Sequence, residues 1–428
     1  MSVDSQSASV VPFEVGRCWA GLCDISPRQS VPLAGYSGKD RLCLADTGGG
    51  LEANWLAFPA VDSAIVLVLS IDALFSSNAF EAAVIGALAA EGVAMSALWV
   101  VASHTHFAPQ LDPTKPKLGR CISEHLEEVA RRIAMSIRSA MYAPPAKMGE
   151  IRYGKDIAPG SVHRRRPGWK LRRTPPFLQP MAIPAPAPEV IINRHLRLWI
   201  LQDLQGNAIA AVVHWSCHAV AAHRRNRVSP AHIGAIRVAL RETLARPLPV
   251  IAMSGCSGDI RPDFRQGFLS CRTMAPYPFQ RGFAPPTASR IIQFEAGIAE
   301  AARRAAERTV ALAYGAEGAL MRFDTELLTD VTLTLTKLQI GSLHLLGMNC
   351  EPSHDWVIQL GFQHDASNLA VTGYVGQVFG YLPTEEQVNA GGYEVDGFRD
   401  AFAFAGKWHN CLDMRRRIAA AISKLSEQ

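Results

Sequence analysis

The chain has 428 residues, 48% apolar and 19% charged, which is enough to bury a sizeable core. A formal charge of +5 is small for that length, so bulk electrostatics favour neither nucleic acid nor a membrane surface. The nine cysteines include no C-x-x-C pair and read as reduced thiols of a cytoplasmic protein, and no run reaches the roughly 18 apolar residues that would make an integral membrane segment.

Residues 1–12 are polar and Ser-rich and are expected to be disordered. Residues 15–27 predict an edge strand closing in a turn. Residues 32–38 predict a glycine-containing loop, where glycine permits positive φ or the close approach of a ligand, with Tyr36 as a candidate contact. A β-α-β unit follows: a buried strand over 64–71 with Asp72 at its carboxyl end, an Ala-rich helix over 78–91, and a second strand over 98–102. A right-handed crossover makes the strands parallel and puts Asp72 and His104 on the rim where open α/β sheets bind ligands. Asp72 reads as a helix cap, with a supporting role at the rim as the alternative. If the extended chain continues past residue 102, His104 and His106 project from one face. Two imidazoles so placed suit a zinc ion that gains further protein ligands and keeps a position open for water. The H-x-H pair alone also fits a site in which one histidine is only structural.

An amphipathic helix is expected over 122–142. Residues 163–173 hold five arginines and a lysine. With the Pro-rich stretch to residue 188 they predict a basic loop over about 160–190. It is either a solvated loop or a lid whose arginines meet an anionic or carbonyl group. Strands over 196–201 and 208–215 form a hairpin that ends in Ser216-Cys217-His218, a second histidine at a strand end. A helix over 232–245 leads to a strand over 250–253 and a glycine-containing loop that carries Asp259 but lacks the lysine of a nucleotide-binding loop. After a long helix over 288–314, strands around 332–336 and 343–346 lead to Glu351, a carboxylate just past a strand. A basic helix starts near Asp413. The fold class is α/β: a mixed, largely buried sheet flanked by helices, with the metal site at strand ends and no linker marking a domain boundary.

Taken in order, D-I-S-P (24–27), L-A-G-Y-S-G (33–38), S-H-T-H-F-A-P (103–109), W-S-C-H-A-V (215–220), S-G-C-S-G-D-I-R-P (254–262), C-E-P-S (350–353), G-Y-L-P-T (380–384) and G-G-Y-E-V (391–395) resemble the neutral/alkaline, non-lysosomal ceramidases and their shorter bacterial relatives. The resemblance implies a neutral ceramidase N-terminal-type zinc hydrolase domain over 13–428. It implies one Zn2+ held by His104, His218, Glu351 and Tyr381. It also implies His106 as general base or oxyanion partner, Arg164 as the group holding the reacting carbonyl, and Tyr393 with Glu394 lining the pocket.

The departures from the family concern the substrate. Arg261 stands where the family has a serine, Ser229-Pro230-Ala231 lacks a family aspartate for which His232 is a candidate replacement, and Gln110 and Leu111 replace glycines. The family's carboxyl-terminal immunoglobulin-like domain is expected to be absent. The expected function is zinc-dependent cleavage of an amide (N-acyl) bond in a small-molecule or lipid-like substrate. That substrate is more polar than a ceramide, and Arg261 and the basic loop favour an anionic group on it. An esterase or acyltransferase on the same zinc, or a non-catalytic binding protein that kept the fold, are the alternatives.

Overall fold

The strand Ile65–Ile71 is buried at every position, and its side chains alternate between two cores. Ile65, Leu67, Leu69 and Ile71 pack with Phe80, Val84 and Leu88 of the helix Asn78–Ala90 and with Leu126, Val129 and Ile133 of the helix Ser123–Ala140. Val66 and Val68 face Leu338 and Leu345 of a second sheet. A strand covered on both sides has no polar face to offer, which is why its sequence is an unbroken apolar run. Met95–Ala102 lies parallel to it, so the β-α-β unit is present as expected. The chain is seen in a computed structural model that describes residues 9–36, 41–43, 50–171, 174–175, 177–265, 282–313, 315, 317–361 and 367–426.

The main sheet has nine strands. Eight follow one another in the order Val250–Ser254, Ala208–Trp215, His195–Asp203, Ala146–Ile157, Arg17–Asp24, Glu52–Pro59, Ile65–Ile71 and Met95–Ala102, and Val310–Ala311 pairs with Ala146–Ile157. Pairing is parallel at the two ends of this series and antiparallel within it. Arg17–Asp24, expected at an edge, is interior: it runs beside Glu52–Pro59 and meets Ala146–Ile157 at Arg17↔Lys147 and Cys18↔Ala146. The two ends of the sheet curve towards each other. Val250 N donates to Asn54 Oδ1 (3.0 Å) and Ala252 N to Ser70 Oγ (3.1 Å), which satisfies the outer strand's backbone with side chains. The loops that follow Ala102 and Trp215 thereby reach one rim, where His106 N donates to Ala219 O at 3.1 Å.

The second sheet has five strands, ordered Ser9–Glu14, Glu317–Leu328, Val331–Ile340, Leu343–Met348 and Leu369–Thr372. It covers one face of the main sheet, and the helices cover the other. Ser9–Pro12, expected to be disordered, pair in register with Ala319–Arg322. The rest of that segment, residues 1–8, lies outside the described residues, as do Ser37 and Gly38 of the glycine loop, Arg172 and Arg173 of the basic run, and Tyr314 at the end of the long helix.

Two further expectations are corrected. The basic stretch is not an irregular loop: Arg165–Leu171 and Leu178–Pro184 form an antiparallel ribbon. A two-stranded ribbon has outer edges that need no donors, so its prolines are tolerated. Asp72 is neither a cap nor a rim group. The helix Asn78–Ala90 is capped by Ser77, which accepts from Phe80 N. Asp72 instead accepts from Glu52 N and forms a buried two-pronged ion pair with Arg237 of the helix His232–Thr243. No helix among the described residues is long and apolar enough to cross a membrane.

Candidate metal centre

The strand ends at Ala102, and His104 takes a left-handed conformation (φ 59°). The extended chain therefore does not continue through the H-x-H segment. A turn, not strand alternation, brings His104 and His106 to one place, with their Nε2 atoms 3.4 Å apart. His218, three residues past Trp215, joins them, and the three histidines offer ligand atoms that all lie within 4.8 Å of one another.

Each ring is held from behind by a backbone carbonyl. His104 Nδ1 lies 3.0 Å from Leu74 O, His106 Nδ1 2.7 Å from Gly35 O, and His218 Nδ1 2.7 Å from Ser257 O. A carbonyl only accepts, so in each case Nδ1 carries a proton and the ring turns Nε2 towards the cluster. Gly35 is required for this. Its φ is 103°, and a Cβ at that position would lie 2.5 Å from His106 Nδ1. The glycine of the 32–38 loop thus serves the approach of a histidine ring, not of a ligand. Tyr374, which the sequence reading missed, stacks on His104 with ring centroids 4.1 Å apart and shares a hydrogen bond with Ser257 Oγ (2.9 Å). Its one signal is its position just past the apolar strand Leu369–Thr372, the placement shared by the histidines.

Glu351 and Tyr381 arrive together. Glu351–Pro352 and Tyr381–Leu382 pair as short parallel strands, and Glu351 N donates to Gly380 O at 2.8 Å. Glu351 Oε2 lies 3.3 Å from both His104 Nε2 and His218 Nε2, and Tyr381 Oη lies 3.5 Å from His218 Nε2. Glu351 Oε2 is buried and receives no hydrogen bond. Burial and the charge of Arg164 lower His218 to about 4, and burial with the neighbouring histidines lowers His106 well below 6.5. His106 and His218 are therefore uncharged at neutral pH. The His218 lone pair and a carboxylate oxygen with no proton between them repel, and a cation among them removes the conflict. The mixed nitrogen and oxygen donors fit zinc.

Arg164 Nη2 donates to Tyr381 Oη (3.1 Å) and to Gly258 O (2.6 Å), and its Nε donates to Glu394 Oε1 (2.8 Å). Arg165 takes the other oxygen of Glu394 at 2.6 Å. Glu394, expected to line the pocket, is instead enclosed behind the two arginines. Tyr393 remains 37% exposed at the margin, its ring 5.6 Å from that of Tyr381. His232 is not part of the cluster: its ring packs edge-on to Trp215 and Phe294 at 5.1 and 5.9 Å.

Comparison of the sequence with protein-family profiles and with curated proteins gives no match. The fold does match solved structures. A neutral ceramidase from Pseudomonas aeruginosa aligns with a TM-score of 0.66 and 14% identity over 97% of this chain and 75% of that one. A ceramidase complexed with C2 aligns with a TM-score of 0.63 and 14% identity over 97% and 76%. At this identity the likeness establishes architecture: the chain shares the α/β fold of these ceramidases.

Proposed function

We propose that the chain is a zinc-dependent hydrolase that cleaves an amide (N-acyl) bond in a substrate more polar than a ceramide. The observation that carries this reading is the donorless, buried Glu351 Oε2 set between the Nε2 atoms of His104 and His218. The fold, shared with two ceramidases, supports the reaction class.

His104, His218, Glu351 and Tyr381 would hold the ion. When bound, zinc supplies a Lewis acid for the scissile carbonyl and lowers the pKa of water. His106, neutral and fixed through Nδ1, accepts a proton at Nε2 and returns it to the leaving amine. Arg164 locks the Tyr381 hydroxyl in place, and the exposed ring of Tyr393 forms the wall against which the acyl carbonyl is oriented. Burial of His104, His218 and Glu351, each 1% exposed, keeps bulk water from the donors.

The test is elemental mass spectrometry on the purified chain beside His104→Ala and His218→Ala. The expected result is about one zinc per native chain and almost none in either variant. A native protein that stays free of metal after incubation with zinc would move the reading to a non-catalytic fold.

A further inference from the structure

The arginines near the centre fall into two groups. Those of the ribbon are matched: Arg164 and Arg165 share Glu394, and Arg166 faces Glu189 at 3.9 Å. These three arginines of the basic run, which was expected to meet an anion, are thus spent within the protein. Around Tyr36 the charges are not matched. Arg41 and Arg225 lie over its ring at 4.5 and 5.0 Å, and neither pairs with a carboxylate among the described residues. Arg41 gives its Nη atoms to the carbonyls of Ala34, His106 and Arg225, which neutralises none of its charge.

Arg261, on the short strand Ile260–Pro262, stands out most. Its guanidinium stacks on Phe283 at 4.0 Å, its Nε is buried with no hydrogen-bond partner, and no carboxylate pairs with it among the described residues. Burial and Arg164 lower it to about 10, which leaves a cation at neutral pH. A guanidinium so placed opposes folding unless an anion meets it.

This patch adjoins the histidine cluster at several points. Tyr36 packs edge-on to His106 at 5.2 Å, and Arg41 Nη2 donates to His106 O at 2.7 Å. Ile260, next to Arg261, offers its carbonyl to His218 N (3.0 Å) and to His218 Nδ1 (3.2 Å). The Tyr36 side is therefore the side of His106, the residue that hands the proton to the departing amine.

We propose that Arg261, with Arg41 and Arg225 around Tyr36, forms a carboxylate-binding subsite on the amine side of the centre, so that the substrate is an N-acyl amino acid. The planar guanidinium fork matches a carboxylate in shape and charge. The assignment rests on the amide hydrolase reading, and the test separates the two.

Calorimetry on the zinc-reconstituted full chain compares N-octylsulfonylglycine with N-octylsulfonylethanolamine, uncleaved stand-ins that differ in the carboxylate. The carboxylate form binds about 10- to 100-fold tighter. In Arg261→Gln the ratio falls to near one, and in Arg261→Lys part of it survives. Because the charge has no partner to lose, Arg261→Gln folds with an undiminished melting temperature, whereas a purely structural arginine would lower it. Equal binding of the two probes, no binding of either, or a ratio that persists in Arg261→Gln would overturn the subsite. So would a carboxylate preference confined to the acyl side, seen with N-hexylsuccinamate against N-hexylsuccinamide. Hydrolysis of N-octanoylglycine and N-octanoylethanolamine is followed in parallel. Turnover without carboxylate preference sinks the subsite and leaves the hydrolase; the calorimetric preference without turnover of either does the reverse.

Discussion

Glu351 and Glu394 are buried to the same degree, 1% and 3% exposed, yet their surroundings are opposite. Both oxygens of Glu394 receive guanidinium N–H groups, at 2.8 and 2.6 Å. Glu351 Oε2 faces the Nε2 atoms of His104 and His218 and receives no hydrogen bond. One carboxylate is a finished anchor that fixes Arg164 and Arg165, and the other is half of an interaction. Burial does not tell them apart; the inventory of donors does.

The sharpest way to break this contrast is Glu351→Gln. Zinc content should fall from about one per chain to near zero, with turnover down on the order of 1,000-fold, since the ion's chemistry goes with it. The melting temperature of the metal-free protein should hold or rise, because the replacement removes a charge that had no donor. A variant that keeps its zinc would make Glu351 no more a ligand than Glu394. The reciprocal change, Glu394→Gln, should leave zinc content near one per chain while stability drops by about 3 kcal/mol in a denaturant titration, as two guanidiniums lose their counter-charge. The smallest effect is expected where the two regions join, at Tyr381, whose hydroxyl meets both Arg164 and His218. Tyr381→Phe should weaken zinc about 10-fold against a competing chelator, with almost no change in melting temperature. An unchanged affinity would place the hydroxyl outside the centre.

The elements that were legible in the sequence are those whose burial is symmetrical. Ile65–Ile71 and Ala208–Trp215 announce themselves as apolar runs, and His218, which follows the second, could be placed on a rim from the sequence. What escaped depends on partners distant in the chain or on single dihedral angles. Asp72 reads as a cap because its cation, Arg237, lies 165 residues on. The ribbon reads as a loop because prolines and arginines mark exposed chain whether or not it pairs. His104 and His106 were rightly grouped for a wrong reason, since the strand stops and a positive φ does the turning. The open state of Glu351 could not be read at all: a one-letter code records a carboxylate but not its donors.

The proposed donors of the centre come from segments spread over most of the chain, with His104 early, His218 midway, and Glu351 and Tyr381 late. No nascent fragment that stops short of Tyr381 holds the whole set, and closing such long loops is the slow part of assembly. An ion that favours the complete set therefore stabilises only chains that hold all four, by mass action. The same cation would act as a late check on synthesis, withholding its stabilisation from every partial chain that stops short of Tyr381.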